Sequence, residues 1–210
     1  MTIKHILFDF DGTLVDSADC ILTCYRQLLR EFGVESRVKL TRSIIGPPLK
    51  ETLYLLSGIQ EPSVIGHMCD RFKVIYDERV IQNTHAYRLI DTLLTELGDR
   101  GNQLYIATNK RSSPTFKVVD NLNWSSVFEG VYSVDSLLDP APNKTKLIAH
   151  IVSLHDIDLL QAIYVGDTKA DALAAEANSM KFLGVSWGYS DWEQSNRTII
   201  KEPLSLLNHV

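Results

Sequence analysis

Five short, almost wholly apolar runs, Ile3–Phe8, Gln103–Thr108, Gly130–Val134, Ala162–Val165 and Lys181–Val185, alternate with longer segments of helical period. Strands this apolar have no wet face, so they predict an α/β fold: a parallel sheet buried on both sides under helices. The 210 residues suffice for one large domain, or for a core domain with an insertion. Three cysteines, Cys20, Cys24 and Cys69, form no CxxC pair and sit beside no histidine cluster. Neither a disulfide framework nor a structural zinc site is expected, and Cys20 and Cys24 are assigned to the core.

The charge balance narrows the partners. Lys+Arg 21 against Asp+Glu 26, with no basic stripe, argues against nucleic acid as the main partner. No run approaches the ~18 consecutive apolar residues of a membrane span. Acidic residues enter at Asp9, before an apolar signal-peptide region is complete. A cytoplasmic protein without membrane association is expected.

Between the first two strand candidates the pattern is helical throughout. Ile21, Tyr25, Leu28, Leu29 and Phe32 mark one amphipathic helix, begun by an Asp16/Ser17 cap signal. Ile65, Met68, Cys69, Phe72 and Tyr76 mark another, and a third is placed from Leu49 to Leu56 after the loop signal Gly46-Pro47-Pro48. A β-α-β crossover needs only about a dozen residues. The excess predicts a core of residues 1–16 and 82–210 and an inserted helical cap of residues 17–81 over the sheet. Ser113-Pro114 is expected to open a later helix, and Asn178 to end one in the left-handed conformation.

The sharpest chemical signal is Asp9-Phe10-Asp11-Gly12-Thr13, directly after the first strand. In extended chain Asp9 and Asp11 point to one side, at the strand end where open α/β sheets bind ligands. An isolated Asp-x-Asp-Gly is also a turn signal. Two further strands end comparably, one in Thr108-Asn109-Lys110 and one in Gly166-Asp167-Thr168-Lys169-Ala170-Asp171. If these strands neighbour the first, Asp9, Asp11, Asp167 and Asp171 crowd one edge. Such carboxylates raise one another's pKa or demand a cation, and an all-oxygen set favours Mg²⁺.

These motifs resemble the haloacid dehalogenase (HAD) superfamily of phosphotransferases over nearly the whole chain. Motif one falls at Asp9–Thr13, motif two at Thr108 and motif four at Gly166–Asp171. Ile45-Gly46-Pro47-Pro48-Leu49 and Thr108-Asn109-Lys110 are similar to the phosphoglycolate phosphatase-like subgroup. The resemblance implies a Rossmann-like parallel sheet core with an inserted helical cap. It also implies a Mg²⁺-dependent phosphatase acting on a small phosphomonoester, phosphoglycolate-like, through an aspartyl-phosphate.

Carried over residue by residue, Asp9 is the nucleophile and Asp11 the general acid/base. Asp9, the Asp11 carbonyl and Asp167 hold the metal, with Asp171 supporting its water shell or a neighbouring lysine. Gly12, Thr108, Asn109, Lys110 and Lys144 face the phosphate or substrate. Motif three departs from the commonest pattern: Asp139 stands where a lysine is usual, and Lys144 fits a variant that places it at a helix start, with Lys146 as the substitute. A cation at a helix N-terminus opposes the helix dipole, which a nearby anionic phosphate would explain.

Asp11 favours phosphatase or phosphomutase chemistry over the dehalogenases and phosphonate-cleaving branches. Ile21 and Leu49 stand where β-phosphoglucomutases carry a histidine and an arginine, which favours simple hydrolysis. A mutase, a pyrophosphatase and a degenerate binding or regulatory module stay open as alternatives, the last weakened by the full set of acids. A response-regulator receiver distributes its acids differently along the strands. Arg42, Lys50, Arg71 and Lys73 are candidate cap residues toward a small phosphorylated metabolite. The choice between monomer and homodimer is open.

Overall fold

The structure, a computed structural model, describes residues 2–139, 142–192 and 195–210. The strands are β1 (His5–Phe8), β2 (Val15–Asp16), β3 (His85–Ala86), β4 (Gln103–Thr108), β5 (Gly130–Ser133), β6 (Ala162–Gly166), β7 (Lys181–Val185) and β8 (Ile199–Ile200). Six of them form one parallel sheet in the order β5-β4-β1-β6-β7-β8. This is the α/β architecture that the apolar runs demand. The β2 and β3 strands make a separate two-stranded antiparallel ribbon.

The α-helices are α1 (Ala18–Glu31), α2 (Leu49–Ser57), α3 (Pro62–Asp77), α4 (Ile90–Asp99), α5 (Ser112–Asn121), α6 (Lys144–Leu154) and α7 (Lys169–Ala177). Leu147, Ile148 and Ile151 of α6 and Ala174 and Ala175 of α7 pack with Leu7, Tyr105 and Tyr164 of the sheet in one buried cluster. This cluster covers the face that Leu7 points to, and Ile6, which points to the opposite face, is fully buried as well, so the central strand is covered on both sides.

The chain divides into two compact units, Met1–Asp16 with His85–Val210, and Ser17–Thr84. The second contains α1, α2 and α3 and no strand among its described residues. Its α1 and α3 meet through Tyr25 and Phe72, whose ring centroids are 4.7 Å apart, and through an Arg71–Glu31 ion pair at 2.6 Å. Cys20 and Cys24 are buried within it. Among the described residues no helix is long and apolar enough to cross a membrane.

Several local expectations are corrected. The first strand starts at His5 rather than Ile3, and β8 was missed because two residues carry no periodicity. Ser17 occupies the cap position of α1, but its side chain does not make the capping hydrogen bond to the helix N-terminus. The α5 helix opens at Ser112, not at a Ser113 cap, and its first N–H is satisfied from outside by Asp135 at 3.0 Å. After α7 the left-handed residue is Ser179, with φ 55°, while Asn178 keeps a negative φ of −98°.

Candidate active site

Register brings three loops together. Phe8, the last residue of β1, pairs with Ile106 of β4 on one side and Val165 of β6 on the other. The residues that follow, Asp9 onward, Thr108 onward and Asp167 onward, therefore leave the sheet at the same carboxyl edge. Strand β1 ends at Phe8, so the alternation of extended chain stops before Asp11, and the two carboxylates of motif one go to different lysines.

Asp9, Asp167 and Asp171 are buried and offer carboxylate oxygens within 4.8 Å of one another. Lys144, the first residue of α6 and only 8% exposed, bonds to Asp9 Oδ1 at 2.7 Å and to Asp171 Oδ1 at 2.5 Å. Where the sequence led to the expectation of a phosphate beside this lysine, the anions in contact with it are two aspartates of the chain itself. Lys146 instead pairs with Asp139 at 2.8 Å on the surface. Asp171 also closes a capping box on α7, its Oδ2 accepting from the Thr168 N–H at 3.0 Å and hydroxyl at 2.6 Å. Both Asp171 oxygens are therefore committed to holding Lys144 and the start of α7.

One ammonium faces three buried carboxylates. Burial pushes Asp9 up to about 7 against the pull of Lys144, with Asp171 adding to the rise. Burial, then the charges of Asp9 and Asp171, raises Asp167 well above the ordinary carboxylate range. Burial disfavours the charge on Lys144, but Asp171 and Asp9 outweigh it and hold its pKa well above that of a free lysine. A site with this surplus of buried hard-oxygen donors fits a small divalent cation such as Mg²⁺.

Asp11 lies outside that cluster. Its carboxylate takes Lys110 Nζ at 2.8 and 3.1 Å, so Lys110, expected as a substrate cation, is paired with the second aspartate. Thr108 is buried, and its Oγ1 accepts from the Lys110 N–H at 3.1 Å. Asn109 continues the same loop, half-buried. The Gly12 N–H donates to the Val15 carbonyl at 2.8 Å. Gly12 adopts φ +89°, and a Cβ there would collide with the Asp167 carboxylate. Arg71 and Lys73, considered as cap cations, are tied in ion pairs with Glu31 and Asp70.

Two contributors were missed in the sequence. Tyr164 of β6 is fully buried, donates its hydroxyl to the Ala107 carbonyl at 2.8 Å and lies with its ring centroid 5.9 Å from Lys144 Nζ. Its signal was a polar tip inside an apolar run. The Trp187-Gly188-Tyr189 loop after β7 reaches the motif-one loop and Asp167. Its position at the carboxyl end of a strand was the available clue.

Comparison with known proteins agrees with this geometry. The model of the haloacid dehalogenase-like hydrolase family matches residues 6–185. A phosphoglycolate phosphatase of Aquifex aeolicus is 30% identical over 188 residues, covering 89% of this chain and 86% of that protein. A 5'-nucleotidase of Pseudomonas aeruginosa is 28% identical over 196 residues, covering 90% and 86% respectively. A solved haloacid dehalogenase-like family hydrolase from Streptococcus pneumoniae superposes with TM-score 0.85 at 30% identity, covering 99% of this chain and 98% of that one. With the sheet order, the clustered aspartates and a family match spanning both units in agreement, the chain belongs to the haloacid dehalogenase-like hydrolase family.

Proposed function

We propose that the protein is a Mg²⁺-dependent phosphatase that hydrolyses a small phosphomonoester, of the phosphoglycolate kind, through an aspartyl-phosphate on Asp9. The observation that carries this reading is the Asp9 carboxylate itself: buried at the end of β1 and held at 2.7 Å by a lysine that Asp171 fixes in turn. A carboxylate so placed is a nucleophile in a fixed pose rather than a solvated surface charge. The phosphatase and 5'-nucleotidase names of the relatives support the same class of substrate.

Asp9, Asp167 and the Asp11 carbonyl would hold the cation, with Asp171 acting through Lys144. When bound, Mg²⁺ offsets the negative charge of the phosphoryl group facing the carboxylates. Asp9 attacks phosphorus, the bond to the ester oxygen breaks, and Asp11 gives its proton to the leaving alkoxide. Asp11 then takes a proton from water, whose oxygen attacks phosphorus and releases phosphate, restoring Asp9. Lys144 neutralises charge on the transferring group beside Asp9, and the Thr108 hydroxyl donates to a phosphoryl oxygen. Lys110 holds Asp11 in place between the two proton transfers. The helical unit, residues 17–84, is assigned to substrate selection as a cap.

The test is phosphate release from small phosphomonoesters, phosphoglycolate, nucleoside monophosphates and pyrophosphate, with and without Mg²⁺. Metal-dependent release that disappears in Asp9→Asn is expected, because an amide cannot form the acyl-phosphate. Release that survives in Asp9→Asn refutes the mechanism, and release confined to pyrophosphate refutes the monoester assignment.

A further inference from the structure

Asp167 is enclosed by two glycines from distant parts of the chain. Gly12 approaches from the motif-one loop, and Gly188 from the loop after β7. A Cβ on Gly188 would land on the Cβ and Oδ2 of Asp167 and on the Gly12 carbonyl oxygen, so this approach is open only to glycine. Residues on either side of Gly188 fasten the loop. The Trp187 indole N–H donates to the Thr13 carbonyl at 3.0 Å, and the Tyr189 backbone N–H donates to Asp167 Oδ2 at 2.7 Å. Thr13 closes the circuit with its hydroxyl 3.5 Å from Asp167 Oδ1, at the outer limit of a hydrogen bond.

We propose that Trp187, Gly188 and Tyr189 form a positioning clamp for Asp167, fixing Oδ2 so that Oδ1 is presented to the divalent cation. The inference rests on the metal-binding part of the proposed function. Its physical basis is that a carboxylate ligand left to rotate loses affinity to entropy, whereas one tied through its second oxygen meets the cation already oriented. The Trp187 bond adds a constraint on motif one. It ties the backbone two residues past Asp11 to the same loop that orients Asp167, so the two halves of the donor set are held by one short segment.

The experiment is direct binding of Mn²⁺, as a spectroscopic substitute for Mg²⁺, measured by electron paramagnetic resonance of the free ion in the absence of any phosphorylated compound. Gly188→Ala is expected to weaken binding about tenfold or more, the usual scale for loss of a partner behind a metal ligand. Far-UV circular dichroism in EDTA checks that the variant folds. If Gly188→Ala does not fold, Trp187→Phe carries the test, since it keeps an aromatic ring while removing the indole N–H donor together with the second ring of the indole, and a several-fold weaker affinity is expected. A folded variant that binds Mn²⁺ within twofold of the parent overturns the clamp. Asp167→Asn separates the two possible failures. Loss of binding in Asp167→Asn with full binding in both loop variants refutes the clamp alone, whereas parental binding in Asp167→Asn removes the metal reading and the clamp with it.

Discussion

Lys110 reaches both oxygens of Asp11, at 2.8 and 3.1 Å, with its own side chain only 5% exposed. A cation so enclosed and so paired is placed to hold the second aspartate. Its ammonium also lies 5.7 Å from the centroid of the Phe10 ring, which restricts its freedom further. Lys110→Met keeps most of the stem and removes the charge. The expected result is a kcat lower by roughly ten- to a hundredfold, the scale of a misplaced catalytic group, with KM nearly unchanged. A raised KM with unchanged kcat would return Lys110 to the substrate-binding role read from its place beside Thr108.

Lys144 and Lys146 lie two residues apart and differ in burial and in the burial of their partners. Lys144 joins two buried carboxylates, whereas Lys146 pairs with Asp139 at the surface. Removing the buried cation strands its partners, so Lys144→Ala should cost about 3–5 kcal/mol of stability in metal-free buffer. Lys146→Ala should cost less than about 1 kcal/mol, as surface pairs do. Urea unfolding of the two variants decides it, and equal losses would contradict the buried network.

How far the sequence could reach is visible in particular residues. The sheet was legible because Ile6, Leu7, Ile163 and Val165 lie in runs too apolar for any wet face, and the acids were legible because each follows such a run. The partnership of each acid was not. Sequence spacing placed Asp9 and Asp11 side by side, but the strand stops at Phe8, so one turns to Lys144 and the other to Lys110. The helix boundary at Ser112 escaped because its cap comes from Asp135, 23 residues away, which no local rule can see. The steric demand on Gly12 escaped for a similar reason: it comes from Asp167, distant in sequence.

Tyr164 joins the end of β4 to Lys144, and its removal can be tested cleanly because Phe keeps the ring. Tyr164→Phe leaves the buried Ala107 carbonyl without its 2.8 Å partner, which should cost about 1–3 kcal/mol. Ala107 precedes Thr108, so looser anchoring there should also lower kcat. Thermal and urea unfolding check the first effect, and steady-state kinetics the second. An unchanged unfolding midpoint would mean that the hydroxyl contributes nothing at this position.

Metal and protons compete for the same oxygens, and the sign of that competition follows from the raised carboxylates. Asp9 ionises at about 7 in the folded protein against 3.8 for an ordinary aspartate, with burial as the main cause. The folded state therefore holds this proton more tightly than the unfolded chain. The associated stability is fully present below the ordinary value and is lost as pH rises through the folded value. Asp167 is shifted in the same direction, while Lys144, raised above 10.5, loses its contribution only in alkaline solution and does not offset them in this window. Metal-free protein should thus melt at a lower temperature at about pH 8 than at about pH 5, where the buried carboxylates keep more of their protons. Added Mg²⁺ should raise the melting temperature more at the higher pH, because at the lower pH it must first displace protons. Differential scanning fluorimetry with EDTA and with saturating Mg²⁺ at both pH values measures the two shifts. A Mg²⁺-induced shift equal at both, or larger in acid, would show that the raised carboxylates are not the groups that receive the metal.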